Sequence, residues 1–338
     1  MSLTLPPPAP LKKDRRVRDI PFPPTIQRDL QKVEEHLQSL SRLENHPQAS
    51  TLLKHVLQNG GKRIRPALAL MSGAFYNCDL DRMVTLASAV ELLHTATLLH
   101  DDTVDNSDLR RGRPTVNSLW GGGRAVLLGD YLFSKSAHMV ASLGNSRLIG
   151  LFADTLMTIS MAELDQTLNG FQLKKSRDGY FRWISGKTAS IFAMATESGG
   201  ILSAASEEDI AALRTYGLHL GLAFQIVDDI LDFTGEEKEM GKPVGSDLMQ
   251  GALTLPVILL LESEPANDLV RTIYERRESL PSVRMVLDRI VNSPILQECY
   301  KIANEQCSIA RAALRDLPQK PVRQALDEIA EFVVERKR

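Results

Sequence analysis

Cysteine is scarce in this chain. The 338 residues hold three, Cys78, Cys299 and Cys307, and none stands in a Cys-x-x-Cys pair. That argues against a disulfide framework and against a structural zinc site, and it suits a reduced, cytoplasmic compartment. Neither sign of charge is in surplus: 40 Lys and Arg stand against 42 Asp and Glu, a net of −2. Such a chain has no global basic field with which to gather nucleic acid. No apolar run reaches the length of a bilayer span, and the first residues lack the apolar core of a signal peptide. Residues 12–18 carry Lys12, Lys13, Arg15, Arg16 and Arg18, but Asp14 and the adjacent prolines do not favour an amphipathic transit helix. Convincing β alternation is missing as well. So is a phosphate loop. Gly121-Gly122-Gly123 follows no strand, and Gly186-Lys187-Thr188 lacks the first glycine of the Walker pattern, because that position is Phe181.

What is present is helical spacing. Residues 1–24 are proline-rich and read as an extended arm. From Thr25, Ile26, Leu30, Val33, Leu37 and Leu40 recur at helical intervals. Further runs fall at about 67–76, 83–99, 124–143, 147–173 and from Asp178, with a later one opened by Ser206 as cap over Glu208 and Asp209. No Gly/Pro/Ser-rich break divides them. The expectation is an all-α fold: arm 1–24, then one helical domain, 25–338.

Two stretches stand out. Leu98-Leu99-His100-Asp101-Asp102-Thr103-Val104-Asp105 and Gln225-Ile226-Val227-Asp228-Asp229-Ile230-Leu231-Asp232 each end an apolar run with Asp-Asp-x-x-Asp. On a helix, positions four apart share a face, so Asp101 stacks with Asp105 and Asp228 with Asp232. A lone motif of this kind is most often a solvated helix end. Two copies with apolar flanks argue burial, and buried carboxylates need a positive partner. Mg²⁺ takes oxygen ligands, typically one or two carboxylates plus substrate phosphates. A diphosphate held through Mg²⁺ between two facing helices accounts for both copies.

Cations surround these motifs. Lys62, Arg63 and Arg65 crowd the start of an apolar helix, an unfavourable place unless an anion binds there. His94 lies seven residues before Asp101, two turns below it on the same face. It is equally readable as a core histidine or a ligand contact. Arg110 and Arg111 follow the first motif and serve either as ion-pair partners of the aspartates or as a fork for diphosphate oxygens. Lys187 on an apolar face needs an anion, phosphate being one candidate, and Lys242 follows the second motif.

Together these residues resemble the trans-isoprenyl (polyprenyl) diphosphate synthase family. The resemblance runs from about Ile26 to the carboxyl end. It rests on the order of Gly61-Lys62-Arg63-Ile64-Arg65-Pro66, His94 through Asp102, Asp105 through Arg111, Lys187-Thr188, Gln225 through Asp232 and Gly241-Lys242-Pro243. It implies a bundle of long helices around a central apolar cavity. It also implies condensation of an allylic diphosphate with isopentenyl diphosphate, forming a trans double bond. Asp101, Asp105, Asp228 and Asp232 would then hold Mg²⁺, a trio of ions with substrate bound, and Asp102 and Asp229 would support them. Arg110, Lys187 and Lys242 would contact the allylic diphosphate. Lys62, Arg65, His94 and Arg111 would hold the second diphosphate, with Thr188 and Gln225 beside the reacting carbons. A homodimer is implied too, and a long apolar product suggests transient membrane contact at release. One position departs from many relatives: Ala252 stands where they carry Lys, which removes one diphosphate contact.

Ala96 and Thr97 lie one turn below Asp101, where short-chain relatives place bulky aromatics. Two small side chains leave the tunnel open. Each isoprene unit is about one helical turn, ~5.4 Å, long, so the floor is expected several turns down. Phe133, His138 and Met139 are the candidates, each equally readable as ordinary core. The expected product is long, in the octaprenyl to decaprenyl range. The competing readings are a medium-chain, geranylgeranyl-type synthase, a class I terpene cyclase and a non-catalytic subunit of a hetero-oligomeric synthase. A cyclase needs no second diphosphate site, and a non-catalytic subunit would show eroded aspartates.

Overall fold

The computed structural model describes residues 20, 22–58, 61–169, 176–235, 244–265, 268–276 and 280–336. Most of the proline-rich arm and Gly241-Lys242-Pro243 lie outside the described residues. In chain order the helices are α1 (Pro24–Leu40), α2 (Pro47–Leu57), α3 (Ile64–Gly73), α4 (Leu80–Val104), α5 (Val116–Trp120), α6 (Gly122–Ser142), α7 (Ser146–Leu168), α8 (Arg177–Ile184), α9 (Ser190–Leu202) and α10 (Glu207–Thr234). Shorter helices follow, then the long Ile295–Ala313 and the terminal Pro321–Glu335.

Local chemistry sets the boundaries. Asp79 caps α4 by accepting from the Asp81 and Arg82 N–H groups, and Asn145 does the same for α7. Ser206 caps α10 above Glu207, Glu208 and Asp209, as its sequence indicated. Thr25 was expected to cap α1, but the cap is Pro23 and the helix opens two residues earlier, with Pro24 supplying the preset φ of a first helical turn. α3 also opens early, at Ile64. Arg63 takes the left-handed conformation there (φ 48°), turning the chain sharply before the helix.

One feature went unanticipated: a two-residue hairpin after α4. Leu109 pairs with Pro114 and Arg110 with Arg113. Its central residues, Arg111 (φ 52°) and Gly112 (φ 71°), both have positive φ, as a tight hairpin turn of type I′ needs.

The core forms two apolar clusters joined along α10. Ile210, Leu213, Tyr216, Leu220 and Ala223 face the first, with α1, α3, α4, α6 and α9. Leu222, Ile226, Val227, Ile230 and Phe233 face the second, with α8 and the later helices. By length and composition alone α4 and α10 are apolar enough to cross a bilayer, which the sequence expectation had denied. Both are instead largely buried inside this fold, and a helix apolar on all sides is accounted for as a core helix.

α4 and α6 run antiparallel. The Ser136 hydroxyl donates to the Ala89 carbonyl (2.6 Å), while His100 at the other end reaches the Val126 carbonyl (3.2 Å). This register sets Val126 level with His100 and Phe133 about two turns further down, where its ring meets the His100 ring edge-on with centroids 5.1 Å apart. His138 is exposed. Of the three candidates, only Met139 is buried at depth.

Candidate active site

The first acidic motif is placed against its own helix. Asp101 and Asp105 occupy the last turn of α4, where the dipole is negative, and the Asp105 N–H bonds back to the Asp101 carbonyl (2.8 Å). Burial holds both carboxyls above the usual carboxylate range; Lys187 acts in the opposite sense, while Asp102 adds to the rise of Asp101 and Asp101 to that of Asp105. Neither carboxylate accepts a hydrogen bond from another described residue. Asp102 is different: it is buried and accepts from Arg110 Nε at 2.9 Å, which fixes the guanidinium beside the pair.

Among the described residues Lys187 is the charge that most favours the ionised form of both the Asp101 and Asp105 carboxyls. It sits in a π-helical turn, Ser185–Ala189, inserted between α8 and α9. Such single turns recur at functional sites because they re-aim side chains within a helix. Here Lys187 reaches α7 and Thr188 reaches α10. Lys187 Nζ lies 2.7 Å from Glu163 Oε1 and donates to Gln166 Oε1 at 3.1 Å. Trp183 Nε1 donates to the same Gln166 oxygen (3.1 Å). Burial alone would lower the Lys187 pKa, but Asp101, Glu163 and Asp105 outweigh it and raise it.

The second motif divides its duties. Asp228 is half-exposed and takes Arg336 Nη2 at 2.7 Å. Arg336 also donates to the Phe224 carbonyl and lies 3.7 Å over the Phe224 ring. Asp229 is fully buried, accepting from Tyr180 Oη (2.6 Å) and Gln225 Nε2 (2.8 Å). Burial pushes its carboxyl well up, and those two bonds act in the opposite sense. Gln225 Oε1 accepts from Thr188 Oγ1 at 2.7 Å. Asp232 is buried: Ser246 Oγ donates to one of its oxygens (2.9 Å) and the Asp247 N–H to the other (3.2 Å). The expected face-sharing of Asp228 and Asp232 is thus split. One carboxylate meets the cleft and the other pins the chain that follows the motif.

A separate cationic cluster lies on α3 and α4. Arg63 is fully engaged by Glu34 (2.9 Å) and Glu91, so it belongs to the framework. Arg65 lies 4.6 Å over the Phe192 ring and donates to His94 Nε2 (3.1 Å). A guanidinium only donates, so this imidazole nitrogen accepts and His94 is neutral. Burial, reinforced by the positive charge of Arg65, lowers the His94 pKa well below its ordinary value. Arg65 itself is pulled down to about 10, chiefly by burial, and its Nε has no hydrogen-bond partner. Lys62 and Arg111 complete the cluster, and burial lowers both. A Cβ at Gly61 would press on the Arg111 guanidinium, which would have to shift to make room. Four cationic or donor side chains with an orphaned buried N–H make a site for an anion.

The structure thus brings Asp101, Asp105, Arg110 and Lys187 within electrostatic reach of one another, joins Thr188 to Gln225, and sets Asp228 near Lys62 and Arg65 of the cluster that also holds His94 and Arg111. Lys242 lies outside the described residues. Sequence reasoning missed Glu163, Gln166, Tyr180 and Arg336. Tyr180 was within reach of inference: it lies seven residues before Lys187, roughly two turns away on a helix. Glu163 and Gln166 had only their place in an apolar helix to mark them.

Ala96 is fully buried, and Thr97, nearly so, turns its hydroxyl to the His94 carbonyl (2.7 Å). Ala252 is buried, with its N–H on the Asp247 carbonyl (2.9 Å).

An all-helical protein with two carboxylate-bearing helix segments and two cation clusters, set against an apolar interior, defines a class of enzyme that joins diphosphate-bearing apolar substrates. The sequence pattern of one such family, polyprenyl synthetase, matches residues 46–290. The chain belongs to the polyprenyl synthetase family and is a prenyltransferase. It is 36% identical over 91% of its length to component 2 of a heptaprenyl diphosphate synthase from Geobacillus stearothermophilus, covering 96% of that protein. A solved decaprenyl diphosphate synthase from Rhodobacter capsulatus superposes with a TM-score of 0.86 at 38% identity, covering 93% of this chain and 98% of that one. A polyprenyl synthase from Caulobacter crescentus, solved with calcium and isoprenyl diphosphate, gives 0.88 at 34% identity, covering 93% and 96%.

Proposed function

We propose that this protein is a Mg²⁺-dependent synthase of long-chain, all-trans polyprenyl diphosphate, adding successive isopentenyl diphosphates to an allylic primer. The observation that carries this reading is the coexistence of two anion sites. One is lined by Asp101, Asp105, Arg110 and Lys187. The other is lined by Lys62, Arg65, His94 and Arg111.

The donor set fits the ion. Asp101, Asp105 and Asp228 offer hard oxygens, and the first two lack hydrogen-bond partners among the described residues. Among those residues no three metal-ligating side chains converge, so diphosphate and water oxygens would complete each shell. Bound Mg²⁺ would neutralise charge developing on the leaving diphosphate. Asp232, occupied by Ser246 and Asp247, is assigned to anchoring and not to the metal.

The protein's own groups serve each step. Arg110 and Lys187 hold the allylic diphosphate as its C–O bond breaks and the electron pair leaves with pyrophosphate. The oxygens of Thr188 and Gln225 face the allylic cation. The second cluster holds isopentenyl diphosphate so that its double bond attacks that carbon, and the proton then released goes to pyrophosphate. Apolar walls keep water from the cation.

Ala96 and Thr97 leave space below Asp101 for a long chain, in line with the long-chain names of the relatives. We assign the chain to a homodimer. Leu127 on α6 and Met157, Met161, Leu164 and Leu168 on α7 form an exposed apolar surface that needs a cover. The relative called component 2 favours a second reading, the catalytic half of a heteromeric synthase. We also assign it to the cytoplasm, consistent with three unpaired cysteines. Sizing the dephosphorylated products from farnesyl diphosphate, labelled isopentenyl diphosphate and Mg²⁺ tests the proposal. Octaprenyl or longer supports it. A product stopping at geranylgeranyl contradicts the open tunnel, and incorporation only after a partner protein is added supports the heteromeric reading.

A further inference from the structure

Three side chains stand behind the reacting centre in a line that the reaction does not obviously need. Tyr180, on α8, is fully buried and donates from Oη to Asp229 Oδ2 (2.6 Å). Asp229, one helical position past the cleft-facing Asp228, is 1% exposed and accepts from Gln225 Nε2 on its other oxygen (2.8 Å). Gln225 then turns its carbonyl oxygen outward and accepts from Thr188 Oγ1 (2.7 Å).

Direction matters in this line. An amide side chain has one accepting end and one donating end, and a carboxylate only accepts. Both Asp229 oxygens are engaged, one by a phenol O–H and one by an amide N–H. The Gln225 amide is therefore held with N–H₂ toward the interior and oxygen toward the cleft. Thr188 spends its only O–H on that oxygen, so the lone pairs of Thr188 also face the cleft. Reversal would aim N–H donors at the place where an allylic cation forms, which is the wrong sign of dipole for stabilising it. Buried chains of hydrogen bonds are well suited to fixing such a choice, because a half-made chain is costly in a low dielectric.

We infer that Tyr180 and Asp229 are positioning residues that set the sense of the Gln225 amide, so that carbonyl and hydroxyl oxygens, not N–H groups, meet the allylic cation. Asp229, although inside the second acidic motif, acts through Gln225 and not through a metal. This rests on the assignment of Thr188 and Gln225 to the reacting carbons.

The test is a double-mutant cycle on the purified full-length protein, using Tyr180→Phe, Gln225→Leu and their combination. Farnesyl and isopentenyl diphosphates are varied separately, Mg²⁺ is titrated, and circular dichroism confirms folding. Tyr180→Phe removes one charge-assisted hydrogen bond and is expected to lower kcat about tenfold. KM for both substrates and the half-saturating Mg²⁺ concentration should stay within about twofold, since neither diphosphate nor metal is touched. In the Gln225→Leu background the same substitution should cost less than about twofold, because no amide remains to orient. Asp229→Asn, run through the same cycle, is a second arm that keeps the Tyr180 ring in place. Equal cost in both backgrounds overturns the inference. So does a shift in Mg²⁺ dependence at unchanged kcat, which would return Asp229 to the metal. Wild-type kcat in Gln225→Leu alone is a distinguishable result: it removes the assignment of Gln225, and the inference with it.

Discussion

Lys187 Nζ lies 2.7 Å from Glu163 Oε1, and this contact joins α7 to the π-helical turn Ser185–Ala189. Glu163 is a half-buried carboxyl in the field of Asp101 and Asp105, raised first by desolvation and further by those neighbours, with Lys187 acting in the opposite sense. Its ionised form is held there by Lys187. Glu163→Gln should therefore loosen Lys187 and weaken its grip on the allylic diphosphate. A charge-assisted hydrogen bond is worth about 1.5–3 kcal/mol, so KM for the allylic substrate should rise roughly tenfold or more while KM for isopentenyl diphosphate stays put. Steady-state kinetics with each substrate varied in turn checks this. Equal rises in both would place Glu163 in general stability instead.

The raised carboxyls of the first motif also predict a stability signature. A carboxyl that binds its proton more tightly when folded stabilises the fold fully below its unfolded pKa. That contribution is lost as pH rises through the folded value. Burial, followed by repulsion from Asp101, raises Asp105 in this way. Asp105→Asn mimics the neutral acid. Without divalent cations the variant should match wild type in Tm near pH 4, about the free aspartate value, and exceed it near neutral pH. Thermal melts across this range decide it, and a variant less stable at neutral pH would contradict the sign.

Space below Asp101 is the claim about product length. Ala96→Phe puts a ring one turn down, about 5.4 Å below the motif, and should cut the product to a few isoprene units. Because Ala96 is wholly buried, overpacking is expected to cost about 1–3 kcal/mol as well. Chromatography of dephosphorylated products would show it, and an unchanged length would disprove the tunnel's placement.

Gly129 on α6 faces the His100 ring, and a Cβ there would collide with it. Gly129→Ala should cost about 1–3 kcal/mol of stability by overpacking. It should also reduce activity, since His100 precedes Asp101. Denaturant unfolding measures the first effect, and no change in midpoint would mean that His100 has room to move.

Much of this site was legible because helix periodicity is local. Asp101 and Asp105 could be paired from spacing alone, and Arg65 and His94 came from charge placed in apolar helices. What stayed hidden depended on tertiary contact or on a backbone irregularity. Periodicity treats Asp228 and Asp232 alike, but Ser246 takes one and Arg336 the other, fourteen and 108 residues away in the chain. A regular helix through Ser185–Ala189 would misplace Lys187 relative to Thr188, and no residue type announces a π turn. His138 was counted among the floor candidates because the facing of α6 against α4 is invisible in either helix alone, and the structure leaves it exposed.

In the proposed reaction two diphosphates meet in this cleft, and only their meeting lets chemistry run. The most direct measurement counts pyrophosphate released against isopentenyl units incorporated, with farnesyl diphosphate and Mg²⁺ present. Equal amounts of each are expected from that reaction, and almost no pyrophosphate when isopentenyl diphosphate is left out. Steady release of pyrophosphate from the allylic diphosphate alone, with nothing incorporated, would contradict it and point to a cyclase.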